Sequence, residues 1–590
     1  MSSSSGYVPD GSPTTLRLGI MANGTRFPAW QAAVIRSLMA VPGVEVALLL
    51  VPEPGSGAAR SRRSKADELL ADRRHLLWNV FNKGFVERRS RASRPVDLGE
   101  ELAEVPVMRC RTVAVGRFGE AFSDDDVAAV AGHDLDVLLR FAFGIVKGDI
   151  LVTPRFGVWS FHHGDERSYR GRPPGFWEMV EGSPVVGSIL QRLTERLDGG
   201  IVLHRGVFAT VPHSYVRTRD DAFLGSSDWP ATVCRAIVAG DTAAATAAPS
   251  STDAAVRLNP RNGVMARFLV RQGASYLAAQ WRGLTSAAIW SVGVAEAPPS
   301  AFLEHPPPPI RWLGEAGTAR YLADPGAVGS HPDVALVEDY DHRTHRGVIS
   351  AVALDGPARP RMVIDTGVHA SYPYVFEADG AIWCAPETYQ LRQLRLYRAT
   401  RYPDAWEHVT TPIDGVAVLD ATVWRHGDRW WIFGTDHDDG PNTKLRVWFA
   451  DDLLGEWQPH PLNPVKTDVR SSRPAGTPFM VDGALYRPAQ DSSTSYGGAI
   501  TINRIDVLTP TAFSEQPVAT VTPPTSGRYR AGIHTLTGVG HRTIVDGRRD
   551  TFVWSAFRRE LAGRLGKLRR RRVGRSPGTG STATDRVAKL

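Results

Sequence analysis

Leu16-Arg17-Leu18-Gly19-Ile20-Met21-Ala22-Asn23-Gly24 reads as a short buried strand running into a glycine-bearing turn, and the helical periodicity of Phe27 to Met39 directly after it makes a β-turn-α opening. Val44 to Val51 supplies a second apolar strand and Val137 to Gly144 a third, so strands alternate with helical segments as in a parallel α/β sheet. Between them Ser61 to Arg94 is basic and helical in pattern, read as a solvated insertion with a phosphate contact as the alternative. The run Ala243 to Thr252 is Ala, Thr, Pro and Ser, which cannot pack a core, and marks a boundary. A helix is expected from about Asn262 to Arg282, and the pattern then turns to β. Glycine-containing hairpin turns are read at Arg346-Gly347, Asp379-Gly380, Gly427-Asp428, Asp482-Gly483 and Asp546-Gly547. Their spacing, about 50 residues, is a propeller's. The expected organisation is an α/β domain with a Rossmann-like parallel sheet over 14–238, a linker and helix over 239–284, an all-β five-bladed propeller over 285–557, and a disordered basic tail over 558–590.

The 590 residues exceed one ordinary domain, and 42% hydrophobic with 22% charged content is that of a soluble globular protein. No run of about 18 apolar residues is present to span a bilayer. Met1 to Gly6 lacks a basic start and an apolar stretch, and Cys110, Cys234 and Cys384 are too scattered for a disulfide framework, so cytoplasmic residence is expected. No metal-ligand spacing is read. Eleven Lys or Arg between Ala556 and Leu590 face only Glu560 and Asp585, so this tail exceeds the whole chain's net charge of +7 and leaves the body slightly acidic. Nucleic acid is therefore not the expected partner. Leu561, Leu565 and Leu568 recur at helical spacing among those arginines, compatible with a helix on the inner face of an anionic membrane or with a solvated end.

Gly157-Val158-Trp159-Ser160-Phe161-His162-His163-Gly164-Asp165, followed by Arg196-Leu197-Asp198-Gly199-Gly200, supplies an imidazole and a carboxylate for acid–base work. With Tyr169-Arg170-Gly171 and the opening at Gly19 to Gly24, this stretch of about 14–210 resembles the folate-dependent formyltransferase family. The resemblance implies His162 as general acid/base, Asp198 as its orienting partner and Ser160, where the family has Asn, as oxyanion donor. It also implies 10-formyltetrahydrofolate as cofactor, contacted by Asn23, Gly24, Phe143, Gly144 and Gly199. Gly164-Asp165-Glu166-Arg167 departs from the family's proline-rich loop.

The second half, about Trp290 to Phe557, resembles the N-terminal region of plant glucosamine inositolphosphorylceramide transferases and, more distantly, family 43 glycosidases. The residues that carry this include Ala323-Asp324-Pro325, His369-Ala370-Ser371-Tyr372-Pro373, Ala385-Pro386-Glu387, Arg473-Pro474-Ala475-Gly476, Arg487 to Asp491 with Tyr496-Gly497, and Gly532-Ile533-His534. Blade geometry would aim Asp324, His369, Glu387, Asp420, Arg473, Gln490, Asp491 and His534 at one opening, for glycan binding or for two-carboxyl hydrolysis. The expected function is transfer of a formyl group to an amine of an amino sugar in a nucleotide-sugar or glycoconjugate, the propeller holding the glycan. The alternative is a glycan-binding or glycan-processing propeller beside a degenerate formyltransferase-like domain.

Overall fold

The computed structural model describes residues 15–53, 73–116, 119–196, 199–242, 249–250, 252, 254–317 and 319–572. The chain forms two compact units, one built from residues up to Gly206 with Tyr215–Leu269, the other from Val207–Ser214 and the residues from Val270 onward.

Unit 1 is α/β. Its seven-stranded sheet has the order Ile201–Ala209, Val185–Arg192, Val158–His162, Val137–Arg140, Leu16–Met21, Val44–Pro52, Val107–Cys110. The last five in that order are parallel, and Val185–Arg192 runs antiparallel to Val158–His162. Alternation along each strand divides the core. Met21, Leu48, Leu50 and Leu138 pack on one face, while Ile20 and Leu49 meet Ala32 and Ile35 of the helix Ala29–Met39 on the other. A Cβ on Gly19 would stand 2.5 Å from Leu138 Cδ2, so the opening strand needs glycine at its closest approach. Connections leave Leu16–Met21 and Val137–Arg140 in opposite directions across the sheet, and Phe141 and Ala142 donate to Met21 O at 2.9 Å. In open α/β sheets such a reversal is where ligands commonly bind, outside the strands' carboxyl ends.

Unit 2 is built on five antiparallel sheets that follow one another along the chain: Arg320–Ile364, Ser371–Asp414, Val418–Thr467, Phe479–Val521, and a fifth that pairs Ala287–Ala295 with Arg542–Thr551. The fifth sheet thereby joins the two ends of the unit. Asp379-Gly380 (φ 51° and 73°) and Asp482-Gly483 (49° and 79°) are two-residue hairpin turns as expected, and Gly427 turns at φ 63°. Two expected turns are not turns. Gly347 lies within Arg346–Ala353, the reversal being made at His345 (φ 63°), and glycine is needed there because a Cβ would meet Ala370 O at 2.6 Å. Asp546-Gly547 lies inside Arg542–Thr551, where the Asp546 carboxylate binds backbone amides and Gly547 leaves room for the Trp312 ring. The reversal falls instead at Gly540 (φ 59°).

Trp554–Arg572, which contains the helically spaced Leu561 and Leu565, is a helix, held by Arg559 to His342 O at 2.6 Å and Arg564 to Gln280 O at 3.2 Å. Residues 573–590, 61–72 of the basic insertion and 243–248 of the linker lie outside the described residues. The three cysteines are free and buried.

Arg487, singled out by its motif, is a structural residue. It is fully buried and clamps Glu515 at 2.9 and 2.6 Å, with Lys466 Nζ a further 2.7 Å from the same carboxylate. These cations hold the Glu515 carboxyl below its usual range against burial. Its contribution is therefore present above the unfolded value of 4.5 and lost as pH falls through the lower folded value. Glu515→Gln, which leaves two buried cations short of a counterion, is expected to lower unfolding free energy by about 3 to 5 kcal/mol at pH 7 in urea titrations.

Candidate functional site

Three sheets of unit 2 begin with the same irregularity. Register slips between Ala323 and Gly326, Ser371 and Tyr374, and Leu419 and Thr422. At each slip a non-glycine residue takes positive φ: Asp324 (52°), Tyr372 (40°) and Asp420 (48°), spaced 48 residues apart. Such bulges re-aim side chains and store about 1 to 3 kcal/mol of strain each. The three amides freed there are accepted by acids of the same centre, and the Tyr372 phenol accepts a fourth amide from Gly476. Asp324 N donates to Asp546 Oδ2 (3.1 Å), Tyr372 N to Asp324 Oδ2 (3.3 Å), Asp420 N to Glu387 Oε2 (3.0 Å) and Gly476 N to the Tyr372 hydroxyl (2.7 Å).

Into this frame the structure brings six of the eight selected residues, all buried: Asp324, Glu387, Asp420, Arg473, Gln490 and His534. Arg473 grips Asp420 with Nε at 2.5 Å and Nη2 at 3.1 Å, and reaches Glu387 Oε2 at 3.5 Å. Gln490 Nε2 donates to the same Asp420 at 2.6 Å. His534 stands between two acids, Nδ1 2.6 Å from Asp546 Oδ2 and Nε2 3.5 Å from Asp324 Oδ1, its ring stacked at 3.8 Å on Trp290. Tyr496 closes the group, edge-on to His534 and under the Arg473 guanidinium at 5.1 Å.

Burial and charge separate the acids. Burial pushes Asp324 up to about 6, with His534 opposing the rise. Burial and the Asp420 charge hold Glu387 well above the usual carboxylate range, and burial with the Asp324 charge does the same to Glu338. Asp546 is held low and His534 high by each other against burial. The centre thus contains two carboxyls, Glu387 and Glu338, whose protonated form is favoured by burial and neighbouring acids, and one, Asp546, whose ionised form is favoured by His534 against burial.

His369 sits at the rim: its Nδ1 accepts from Gly347 N at 2.8 Å and Nε2 lies 3.7 Å from Glu338. Asp491 does not join, because its carboxylate caps a turn at Ser493 N (2.9 Å). Glu338, Asp546 and Trp290 were missed. The signal available for Glu338 was an acid interrupting the apolar strand Val334–Asp341. Asp324, His534 and Asp546 also offer metal-ligand atoms within 4.8 Å of one another. Asp546 Oδ1, however, already accepts His534 N and Thr535 N, and its other oxygen lies 2.6 Å from His534 Nδ1.

In unit 1, His162 ends its strand half-buried, with Nε2 3.3 Å from Tyr169 O. Asp198 lies outside the described residues, as does Leu197. Ser160 Oγ is not open: it accepts from Arg140 Nη2 at 2.9 Å and Nε at 3.3 Å. Arg140, missed by the sequence reading, also donates to Phe143 O (3.3 Å) and Gly144 O (2.6 Å), and among the described residues no carboxylate pairs with it. Phe143 turns at φ 63° against Phe122, Gly24 (φ 120°) follows exposed Asn23, and Gly199 O accepts from Thr194 Oγ1 at 2.9 Å. His163 is core, stacked on Phe223 at 3.8 Å and pushed down to about 3 by burial. The atypical loop is pinned by Glu166 to Arg205 Nη1 at 2.8 Å.

Residues 352–534 match the family model described as glucosamine inositolphosphorylceramide transferase 1, N-terminal. The rice (Oryza sativa subsp. japonica) glucosamine inositolphosphorylceramide transferase 1 is 35% identical over 162 residues, 27% of this chain and 22% of that protein. The match thus spans about a fifth of the relative's length. A methionyl-tRNA formyltransferase of Synechococcus sp. (strain WH7803) is 39% identical over 71 residues, 12% of this chain and 21% of that protein. Among solved structures, a GH43 β-1,3-galactosidase covers 33% of this chain and 48% of its own at 13% identity and a TM-score of 0.28. The expected cytoplasmic residence is overturned by the transferase relatives, which are named for a ceramide, a lipid that resides in membranes rather than free in cytosol. No helix of the described residues is long and apolar enough to cross a membrane.

Proposed function

We propose that this protein is a glycoconjugate-directed transferase whose sugar is bound at the buried acid–arginine centre of unit 2, the five sheets standing around it as propeller blades. The observation that carries this reading is the convergence of Asp324, Glu387, Asp420, Arg473, Gln490 and His534, with Glu338 and Asp546, on three strained bulges. Strain and buried like charge are tolerated where a ligand uses them. The named relatives favour a glycoconjugate as that ligand.

In the finer reading, unit 1 transfers a formyl group from 10-formyltetrahydrofolate to an amine of the sugar, with His162 as general acid/base and Asp198 orienting it. The developing oxyanion then meets Arg140 guanidinium N–H groups presented by Ser160, in place of a carboxamide. The test is incubation of the full chain with 10-formyltetrahydrofolate and a panel of glucosamine-bearing lipids and nucleotide-sugars. Formylated product is expected from the wild type and about 10²- to 10⁴-fold less from His162→Ala. Absence of product, with sugar binding retained in wild type and lost in Asp420→Asn, would leave unit 2 as the working site and remove formyl transfer.

A further inference from the structure

Two helices of the chain display apolar stripes to solvent. On Asn262–Thr285, Val270 (74% exposed), Leu277 (69%) and Trp281 (68%) stand at offsets of 0, 7 and 11, within one narrow arc of the helix. On Trp554–Arg572 the pattern repeats, with Trp554 (62%), Leu561 (39%) and Leu565 (52%) at the same offsets and Phe552 exposed beside them. The helices are tied side by side through Arg564 and the Gln280 carbonyl. Side chains of this size left in water on matching faces mark a docking surface.

Charge decides the occupant. Asn262–Thr285 contains Arg267, Arg271 and Arg282 and no acid. Trp554–Arg572 contains eight Arg or Lys and one acid, Glu560, which is already paired with Arg564 at 3.0 Å. An excess of cations beside tryptophan and leucine suits a surface that is anionic outside and apolar a few ångströms deeper. We propose that these two helices dock the protein flat on an anionic lipid bilayer, Trp281 and Trp554 entering the headgroup region and the arginines meeting lipid phosphates. Neither helix needs to span the membrane, and the proposal does not depend on the sugar centre.

The test is co-sedimentation of the full chain with large unilamellar vesicles of phosphatidylcholine alone or with about 30% phosphatidylserine, at low and high salt. The wild type is expected to bind the anionic vesicles at least about tenfold more tightly than the neutral ones and to release in high salt. Trp281→Ser with Trp554→Ser is expected to weaken that binding about tenfold, with an unchanged urea midpoint because both rings are exposed. Arg282→Gln with Arg558→Gln is expected to reduce salt sensitivity. Equal binding to neutral vesicles, full binding by the double tryptophan variant, or dimerisation through these residues without vesicle binding would each overturn the proposal, the last in favour of a second copy as occupant.

Discussion

Arg473→Met is expected to cost about 3 to 5 kcal/mol of stability at pH 8 and much less at pH 5, read from urea unfolding at the two pH values. Methionine approximates the buried volume, so what is lost is charge. Asp420 loses a bidentate partner at 2.5 and 3.1 Å, and Glu387 loses a cation at 3.5 Å. The sign follows from proton linkage: carboxyls whose folded values lie above their unfolded ones bind protons more tightly in the native state, so stability rises as pH falls. Glu387 already lies above its ordinary 4.5 through burial and the Asp420 charge, with Arg473 opposing the rise, so losing the guanidinium extends the pH window of this effect upward. A loss of equal size at both pH values would mean that Arg473 acts through packing, and the electrostatic account of the centre would fail.

The opening α/β pattern was legible because Leu16–Met21 and Val44–Pro52 are short apolar runs buried almost without interruption, as strands covered on both faces are, and the helix Ala29–Met39 buries Trp30, Ala32, Val34, Ile35 and Leu38. Hairpins at Asp379-Gly380 and Asp482-Gly483 were legible because residue chemistry dictates positive φ there. Asp546-Gly547 carries the same dipeptide but obeys a different constraint. Its glycine serves close packing and its acid serves buried amides, and no local rule separates that from a turn. The six converging side chains were found from short motifs beside strand ends, whereas Glu338 and Asp546 sit within strands, where sequence alone does not tell which face a bulge will turn inward. Arg140 was missed for a related reason. Its role arises from lateral register, being the next residue after the Leu139–Trp159 pair, beside Ser160.

Glu338→Gln is expected to raise stability at pH 8 by about 1 to 3 kcal/mol while lowering turnover of the sugar substrate by about 10²- to 10⁴-fold. The Glu338 carboxyl is buried, faces the charges of Asp324, Glu387, Asp420 and Asp546, and has His369 Nε2 no closer than 3.7 Å. Among the described contacts nothing compensates its ionisation. Its folded value is raised, so relative to a neutral amide it destabilises the native state progressively as pH climbs above the unfolded 4.5. Glutamine removes that penalty and keeps the shape. Glu515→Gln is the control of opposite sign, because that carboxylate is held ionised by Arg487 and Lys466. On the proposed reading of unit 2 as the sugar site, a buried acid held against stability is one that the ligand uses, and loss of turnover in Glu338→Gln is the result that would assign it proton transfer. If Glu338→Gln destabilises the fold as Glu515→Gln does, the acid is a structural partner and proton transfer from this residue is ruled out of the proposed sugar site.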